Sequence, residues 1–106
     1  MAKRTATIRR VDKNQTEIVN ALRGIGATVQ PIHTVGRGCP DLIVGFKGEN
    51  YLLEVKNGSK SKLTPDELEW HRLWNGSVFQ VHDVTEAIYK VTMGFKPETG
   101  AEVAGL

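Results

Sequence analysis

The stretch from Gly36 to Lys56 constrains the fold of this 106-residue chain more than any other part of it. Two apolar runs, Leu42–Val44 and Tyr51–Leu53, flank a polar segment at Lys47–Asn50. Apolar runs of this length indicate strands, and Gly and Asn between them tolerate the positive φ that hairpin turns require. The pattern therefore predicts a strand, a tight turn and a second strand.

The hairpin carries charged residues that can share one face of a sheet. Side chains alternate between faces along a strand, so Glu54 and Lys56 point the same way. A two-residue loop would place Asp41 opposite Glu54, and a four-residue loop would place it opposite Lys56. Any even loop puts all three charges on one face. An odd loop would put Asp41 on the other face, and a bulge would change the count.

Two carboxylates at this spacing favour a bound cation. Directly opposed side chains have Cβ atoms about 4.5–5.5 Å apart, a distance that a metal ion can bridge, and like charges that close repel each other. Mg²⁺ suits such a site because it binds one or two carboxylates and keeps positions for water and phosphate. Lys56 could orient an attacking hydroxide or neutralise charge on a phosphate.

An alternative interpretation needs no metal. Glu54 and Lys56 would then form an ordinary ion pair on a solvated sheet face, and Asp41 would be a turn residue after Pro40. The charges lie within nearly continuous apolar strands, however, where charged residues are uncommon. This context favours a functional site.

Before the hairpin, the sequence predicts a helix followed by a strand. A capping box of Asn14 and Glu17 predicts a helix over residues 14–23. Residues 27–35 favour a strand, which Pro31 restricts to a sheet edge or a bulge.

Elements after the hairpin begin with a strong helix signal. Thr64 as the cap, with Glu67 closing the capping box, predicts a helix over residues 64–74. Residues 77–82 alternate as a strand, and Asp83 begins a last helix. We expect the apolar side chains of the middle helix to form a buried stripe: Leu63, Trp70, Leu73 and Trp74.

The element order is helix, three strands, helix, strand, helix. It predicts an α/β fold, a single domain with a mixed central β-sheet flanked by helices. The domain covers residues 14–93. Residues 1–13 form a basic N-terminal arm, and residues 94–106 form a loose C-terminal tail.

At this point the chain resembles a known family. The resemblance rests on short motifs that follow in order along the chain: Gly38-x-Pro40-Asp41, Leu53-Glu54-Val55-Lys56, Lys62-Leu63-Thr64-Pro65 and Trp70-His71. The first two resemble the PD-(D/E)XK signature of metal-dependent nucleases. The whole set is similar to the VRR-NUC (virus-type replication-repair nuclease) branch, particularly its small stand-alone members, and spans residues 14–88. The PD-(D/E)XK core that such nucleases share agrees with the predicted element order.

The resemblance implies a Mg²⁺-dependent endonuclease that hydrolyses DNA phosphodiester bonds, with Mn²⁺ able to substitute. Asp41, Glu54 and the backbone carbonyl of Val55 would hold the metal, and Lys56 would complete the catalytic set. In the family an acidic residue on the first helix also helps to hold metal, and Glu17 is the matching position. Its role as a helix cap is an equally good explanation.

Glu67 departs from the family pattern. A glutamine that supports the site is common at this position, and we interpret Glu67 first as a capping residue. By analogy the substrate is branched DNA such as a four-way (Holliday) junction, and the working unit is a homodimer. The alternative function is a catalytically inactive nucleic-acid-binding module with the same fold. A third hypothesis is an interaction subunit with no DNA role.

Charge is distributed unevenly along the chain, although the formal net charge is only +2. Residues 1–37 contain seven Lys and Arg against two acidic residues, and the remainder contains seven against ten. This asymmetry favours contact with a phosphate backbone. The candidate nucleic-acid-binding residues are Arg9, Arg10, Arg37, Lys60 and Lys62. The alternatives are a solvated tail for the arm, a solvated arginine in the loop and a flexible linker at residues 57–62.

The cellular context follows from two simple counts. A single cysteine, Cys39, permits no internal disulfide and fits a reducing compartment. No apolar run approaches the length that crosses a membrane, so we expect no membrane partner. We expect a cytoplasmic protein of a bacterial or phage-infected host cell.

Overall fold

A computed structural model describes residues 13–58 and 61–93 of the chain. Within them the element order is the predicted one, with an additional short 3-10 turn. The elements are α1 (Lys13–Gly24), β1 (Thr28–Pro31), the 3-10 turn (His33–Val35), β2 (Leu42–Phe46), β3 (Glu49–Val55), α2 (Pro65–Leu73), β4 (Val78–Val81) and α3 (Val84–Met93). None of these helices is long and apolar enough to cross a membrane.

The four strands form one mixed sheet in the order β1-β2-β3-β4. The first three strands are antiparallel, and β4 pairs parallel to β3 after the crossover through α2. The prediction of an α/β fold with a mixed central sheet is therefore confirmed. The strand predicted over residues 27–35 is shorter, because β1 ends at Pro31, at the sheet edge. Proline has no N–H to donate to a neighbouring strand, which suits it to this position.

The hairpin has the two-residue loop. Phe46 pairs with Glu49, and the connecting Lys47 and Gly48 have φ of 51° and 84°. Positive φ at both central residues is the mark of a type I′ turn, whose twist matches that of the flanking strands. Continuing the register by one pair beyond β2 places Asp41 opposite Glu54.

The core lies on one face of the sheet, between the strands and helices α1 and α3. Alternate residues of each strand point into it, as the period of two predicts. The buried side chains are Ile18, Val19, Leu22, Val29, Leu42, Val44, Tyr51, Leu53, Val55, Phe79, Val81, Ala87 and Val91.

Helix α2 lies over the opposite face of the sheet, with no other described helix beside it. The predicted buried stripe is wrong: no residue of α2 is fully buried, and the side chains of Leu73 and Trp74 are 63% and 46% exposed. The reason is that a lone helix covers only part of that face. Its Glu67 and Trp70 turn toward the strands, and the rest of the stripe remains in contact with solvent.

The predicted capping box at the start of the first helix is also wrong. Asn14 lies inside α1, and its side-chain Nδ2 donates to the carbonyls of Lys56 and His82 at 3.1 and 3.0 Å. The amide thus ties α1 to the ends of β3 and β4. Asn14 is not the cap because the helix already begins at Lys13. Glu17 is exposed and pairs with Lys13 at 3.4 Å, one helical turn earlier.

Candidate active site

Asp41 is held by backbone bonds on both sides. Its N–H donates to the Leu53 carbonyl at 3.0 Å, and its carbonyl accepts from the Ile32 N–H at 2.7 Å. Its side-chain Oδ2 accepts a bond of 2.8 Å from the N–H of Val55, across the hairpin. These bonds direct the carboxylate toward the end of β3.

Glu54 is the most unusual residue of the sheet. Its side chain belongs to the face under α2, where only 2% of the residue is exposed. Within the described part of the chain its Oε1 has no hydrogen-bond partner. A buried carboxylate oxygen without a partner is costly unless a cation or a proton satisfies it.

The electrostatic surroundings of Asp41 and Glu54 also favour a proton or a cation beside them. Burial raises the pKa of Asp41, although the bond from the Val55 N–H partly opposes this. Burial, followed by the negative charges of Asp41 and Glu67, raises the pKa of Glu54 to about 9. Without a metal, Glu54 therefore keeps its proton at neutral pH. A divalent cation beside both carboxyl groups would favour their ionised forms.

Lys56 and Glu67 form a half-buried ion pair above this pair of carboxyl groups. The Lys56 Nζ lies 2.6 Å from the Glu67 Oε1. The same Oε1 accepts a bond of 2.9 Å from the Thr64 N–H, while the Glu67 N–H donates to the Thr64 hydroxyl at 3.2 Å. The predicted capping box of α2 is thus confirmed, and Glu67 also contacts the site. Although burial acts against it, the bonds from Lys56 and Thr64 lower the pKa of Glu67.

Two further polar residues border the site, and the sequence did not single them out for it. His71 lies one turn after Glu67, and within the described residues its Nε2 is buried without a partner. Burial lowers the pKa of His71, so the neutral imidazole is favoured. Gln80 is the β4 partner of Glu54, and its Nε2 lies 3.3 Å from the His82 Nε2. The alternation of residues 77–82 could have predicted that Gln80 lies on the same sheet face as Glu54. For His71 the sequence offered only its place in the Trp70-His71 motif.

Gly38 explains why the first motif begins with glycine. A Cβ on this residue would lie 2.3 Å from the backbone oxygen of Asp66, and its φ is 84°. The loop before Asp41 therefore packs directly against the first turn of α2. Only glycine permits both the conformation and the approach.

The remaining predicted site residues are distributed more widely. Arg37 and Lys62 are exposed, whereas Arg9, Arg10 and Lys60 lie outside the described residues. In the described ranges no group of three or more His, Cys, Asp or Glu could hold a metal ion, so Glu17 is not brought into such a group. A metal at this site would rely on Asp41 and Glu54, with backbone and water oxygens completing its coordination. That donor set fits Mg²⁺, which commonly uses one or two carboxylates.

Comparison with solved structures agrees with this architecture. A structure described as a VRR_NUC domain matches the chain with a TM-score of 0.64 and 24% sequence identity. The match covers 76% of this chain and 92% of that one. No family model matches the chain, and a search of the curated proteins finds no significant match.

The mixed four-stranded sheet and its three helices define a small α/β domain. More particularly, the chain has the fold of a VRR-NUC domain. The resemblance carried by the four short motifs is confirmed at the level of the fold.

Proposed function

We propose that this protein is a metal-dependent endonuclease that hydrolyses DNA phosphodiester bonds. The observation that carries the proposal is the buried Oε1 of Glu54, which lies beside the Asp41 carboxylate and has no hydrogen-bond partner among the described residues. Two ionised carboxylates opposed in a hairpin repel each other, whereas a hydrolase that uses a divalent cation needs such a pair.

Each residue of the site has a role in this chemistry. Asp41, Glu54 and the Val55 carbonyl would hold Mg²⁺ or Mn²⁺. The ion, when bound, supplies a more acidic water and offsets phosphate charge. Lys56 would donate hydrogen bonds to the attacking oxygen and to a phosphate oxygen on which negative charge develops. Glu67 holds the Lys56 ammonium in place from the first turn of α2.

The proposed substrate is branched DNA such as a four-way junction, cut by a homodimer. The described part of one chain supplies one pair of opposed carboxyl groups, and resolving a junction requires two symmetric cuts. A two-fold dimer would present two such sites to a two-fold substrate. The proposed backbone contacts come from basic residues on both sides of the hairpin: Arg9, Arg10, Arg37, Lys60 and Lys62.

The test is a cleavage assay on labelled junction, flap, duplex and single-stranded DNA, with and without Mg²⁺. Asp41→Asn and Glu54→Gln are near-isosteric, so both should fold while losing cleavage by at least about a hundredfold. Calorimetric titration of Mn²⁺ should show binding to the wild type that either change weakens. Variants that cut as well as the wild type would exclude these residues as ligands. Wild-type protein that binds DNA but cuts none of it with either metal would identify a binding module.

A further inference from the structure

An apolar groove begins directly beside the opposed carboxyl groups. On the same sheet face, the next pair along the hairpin is Ile43 and Leu52, two residues and therefore about 6.6 Å from Asp41 and Glu54. Ile43 is 38% exposed, although it lies in the middle of a strand. This pair forms the floor of a groove of about 420 Å³, which is large enough for a small planar ligand.

The groove has an aromatic wall supplied by α2. Trp70 and Trp74 stack with ring centroids 4.7 Å apart and an angle of 19° between their planes. Trp74 is nearly half exposed, and both rings line the groove. Asn50 and Ser77 add polar groups to the lining. Planar aromatic walls with a few polar groups suit a nucleobase, which stacks through its faces and hydrogen-bonds through its edges.

The groove and the carboxyl groups form one continuous surface. Cys39 lines the groove and lies only two residues before Asp41 in the chain. Helix α2 connects the two regions as well, because Glu67 contacts Lys56 and Trp74 lies seven residues, or about 10 Å, further along. A strand with a phosphate at the carboxyl groups would therefore bring a neighbouring base to the groove.

We propose that this groove receives one unpaired base of the DNA strand that is cut. The inference rests on the proposed nuclease function and specifies its substrate: a base can enter only where it has left the duplex stack. Branch points provide such bases, and intact duplex does not. A second copy of this chain is a poorer fit, because a stable protein interface buries about 800 Å² on each partner across a broad surface, whereas this is a local depression.

The experiment is a double-mutant cycle on DNA binding, measured without metal in the Asp41→Asn background so that nothing is cleaved. Trp74→Ala removes the exposed ring. A series of junctions, each with one abasic residue at a different position, removes the bases one at a time. Leu68→Ala is the matched control, since Leu68 is 59% exposed on the same helix and does not line the groove. Circular dichroism verifies that each variant folds.

The expected result is coupling at one position of the DNA. Trp74→Ala should weaken binding of intact junction about tenfold, in line with the loss of one stacked base. It should have no further effect when the base at that position is already absent. Trp74→Phe should restore most of the affinity, and Leu68→Ala should change nothing.

Three outcomes would overturn the inference. These are equal weakening by Trp74→Ala at every abasic position, no effect of Trp74→Ala on DNA binding, and conversion of a dimer to a monomer by Trp74→Ala in sedimentation. The experiment distinguishes failure of the base-binding proposal from failure of the proposed nuclease function. Coupling without cleavage by the wild type would retain the groove alone, whereas cleavage without coupling would retain the nuclease alone.

Discussion

Glu54 shows how burial changes the chemistry of a common side chain. The residue lies between apolar neighbours of β3, next to Asp41 and beneath Glu67, and these surroundings disfavour its negative charge. A proton or a cation relieves the same electrostatic cost. The affinity of the site for a divalent ion and the pH dependence of the metal-free protein should therefore have one origin.

This origin predicts how stability changes with pH in the absence of metal. The pKa of Glu54 rises from 4.5 to about 9 on folding, so between these values the folded protein binds more protons than the unfolded chain. The contribution of Glu54 to the free energy of unfolding should then fall as the pH rises through this window.

Thermal unfolding in EDTA at pH 6 and pH 8 measures this effect, with Glu54→Gln as the control. Glutamine does not titrate, so the variant should lose less stability than the wild type between the two pH values. Both proteins share all other titrating groups, so their difference reports Glu54 together with its interaction with Asp41. Equal slopes for the two proteins would contradict the prediction.

Glu67 offers a second prediction at this scale, because it has two roles. Glu67→Gln keeps an oxygen for the Thr64 N–H and for Lys56, so we expect a loss of about 1 kcal/mol or less in the free energy of unfolding and retained cleavage. Glu67→Ala removes both bonds and should reduce cleavage at least about tenfold, since Lys56 loses its positioning partner. Denaturant unfolding and the junction cleavage assay measure the two effects. Full cleavage by Glu67→Ala would show that Glu67 only caps α2.

At the scale of elements, the site depends on how the loop before β2 meets α2. Gly38 contacts the first turn of that helix, while Asp41 follows three residues later and Glu67 lies within the same turn. The contact thus connects the part of the chain that supplies Asp41 with the helix that holds Lys56.

Replacing Gly38 tests this contact, and Gly48 provides a matched control. Both glycines have φ of 84°, but a Cβ at Gly48 would meet nothing within 4 Å. Gly48→Ala should cost about 1 kcal/mol through backbone strain alone. Gly38→Ala should cost about 3 kcal/mol because it also forces apart two packed backbone segments. Denaturant unfolding compares the variants, and equal losses would show that the loop moves freely away from α2.

At the scale of the whole molecule, the two faces of the sheet are unequal. One face is covered by α1 and α3 and forms the core. Among the described elements only α2 covers the other face, which carries the carboxyl groups, Lys56 and the groove. The apolar core therefore lies on one side of the sheet and the proposed site on the other. This division would leave the proposed site open to a large substrate such as DNA.

The proposed dimer has a measurable consequence at this scale. Sedimentation at micromolar concentration should give about twice the monomer mass of 11.7 kDa. On a cruciform plasmid, paired cuts within one binding event should yield linear product before nicked circles accumulate. A monomer that only nicks would leave a simpler nuclease without the ability to resolve junctions.

The proposed contacts with the phosphate backbone predict a salt dependence. Neutralising Arg9, Arg10, Lys60 and Lys62 should lower affinity for every DNA sequence alike. It should also reduce the slope of log affinity against log salt by roughly 0.9 for each lost duplex contact. An unchanged slope would return these residues to the solvated surface.

The sequence by itself determined the features that depend on neighbours along the chain. The alternation of β3 predicted that Glu54 and Lys56 share a face, since strand period is a local property. The turn signal at residues 47–50 placed Asp41 on that face only for an even loop, and the structure has the two-residue loop. The start of α2 at Thr64 was equally local, because a capping box lies within four residues.

Only the tertiary structure decided the features that depend on distant packing. The side chain of Asn14 bonds to Lys56 and His82, 42 and 68 residues away, and no local pattern could predict these contacts. Glu67 contacts the proposed site, and Trp74 lines an exposed groove, because α2 crosses that face of the sheet with no other helix of the described residues beside it. The burial of a helix residue depends on which other elements pack against the helix, and the amino-acid pattern of the helix does not contain that information.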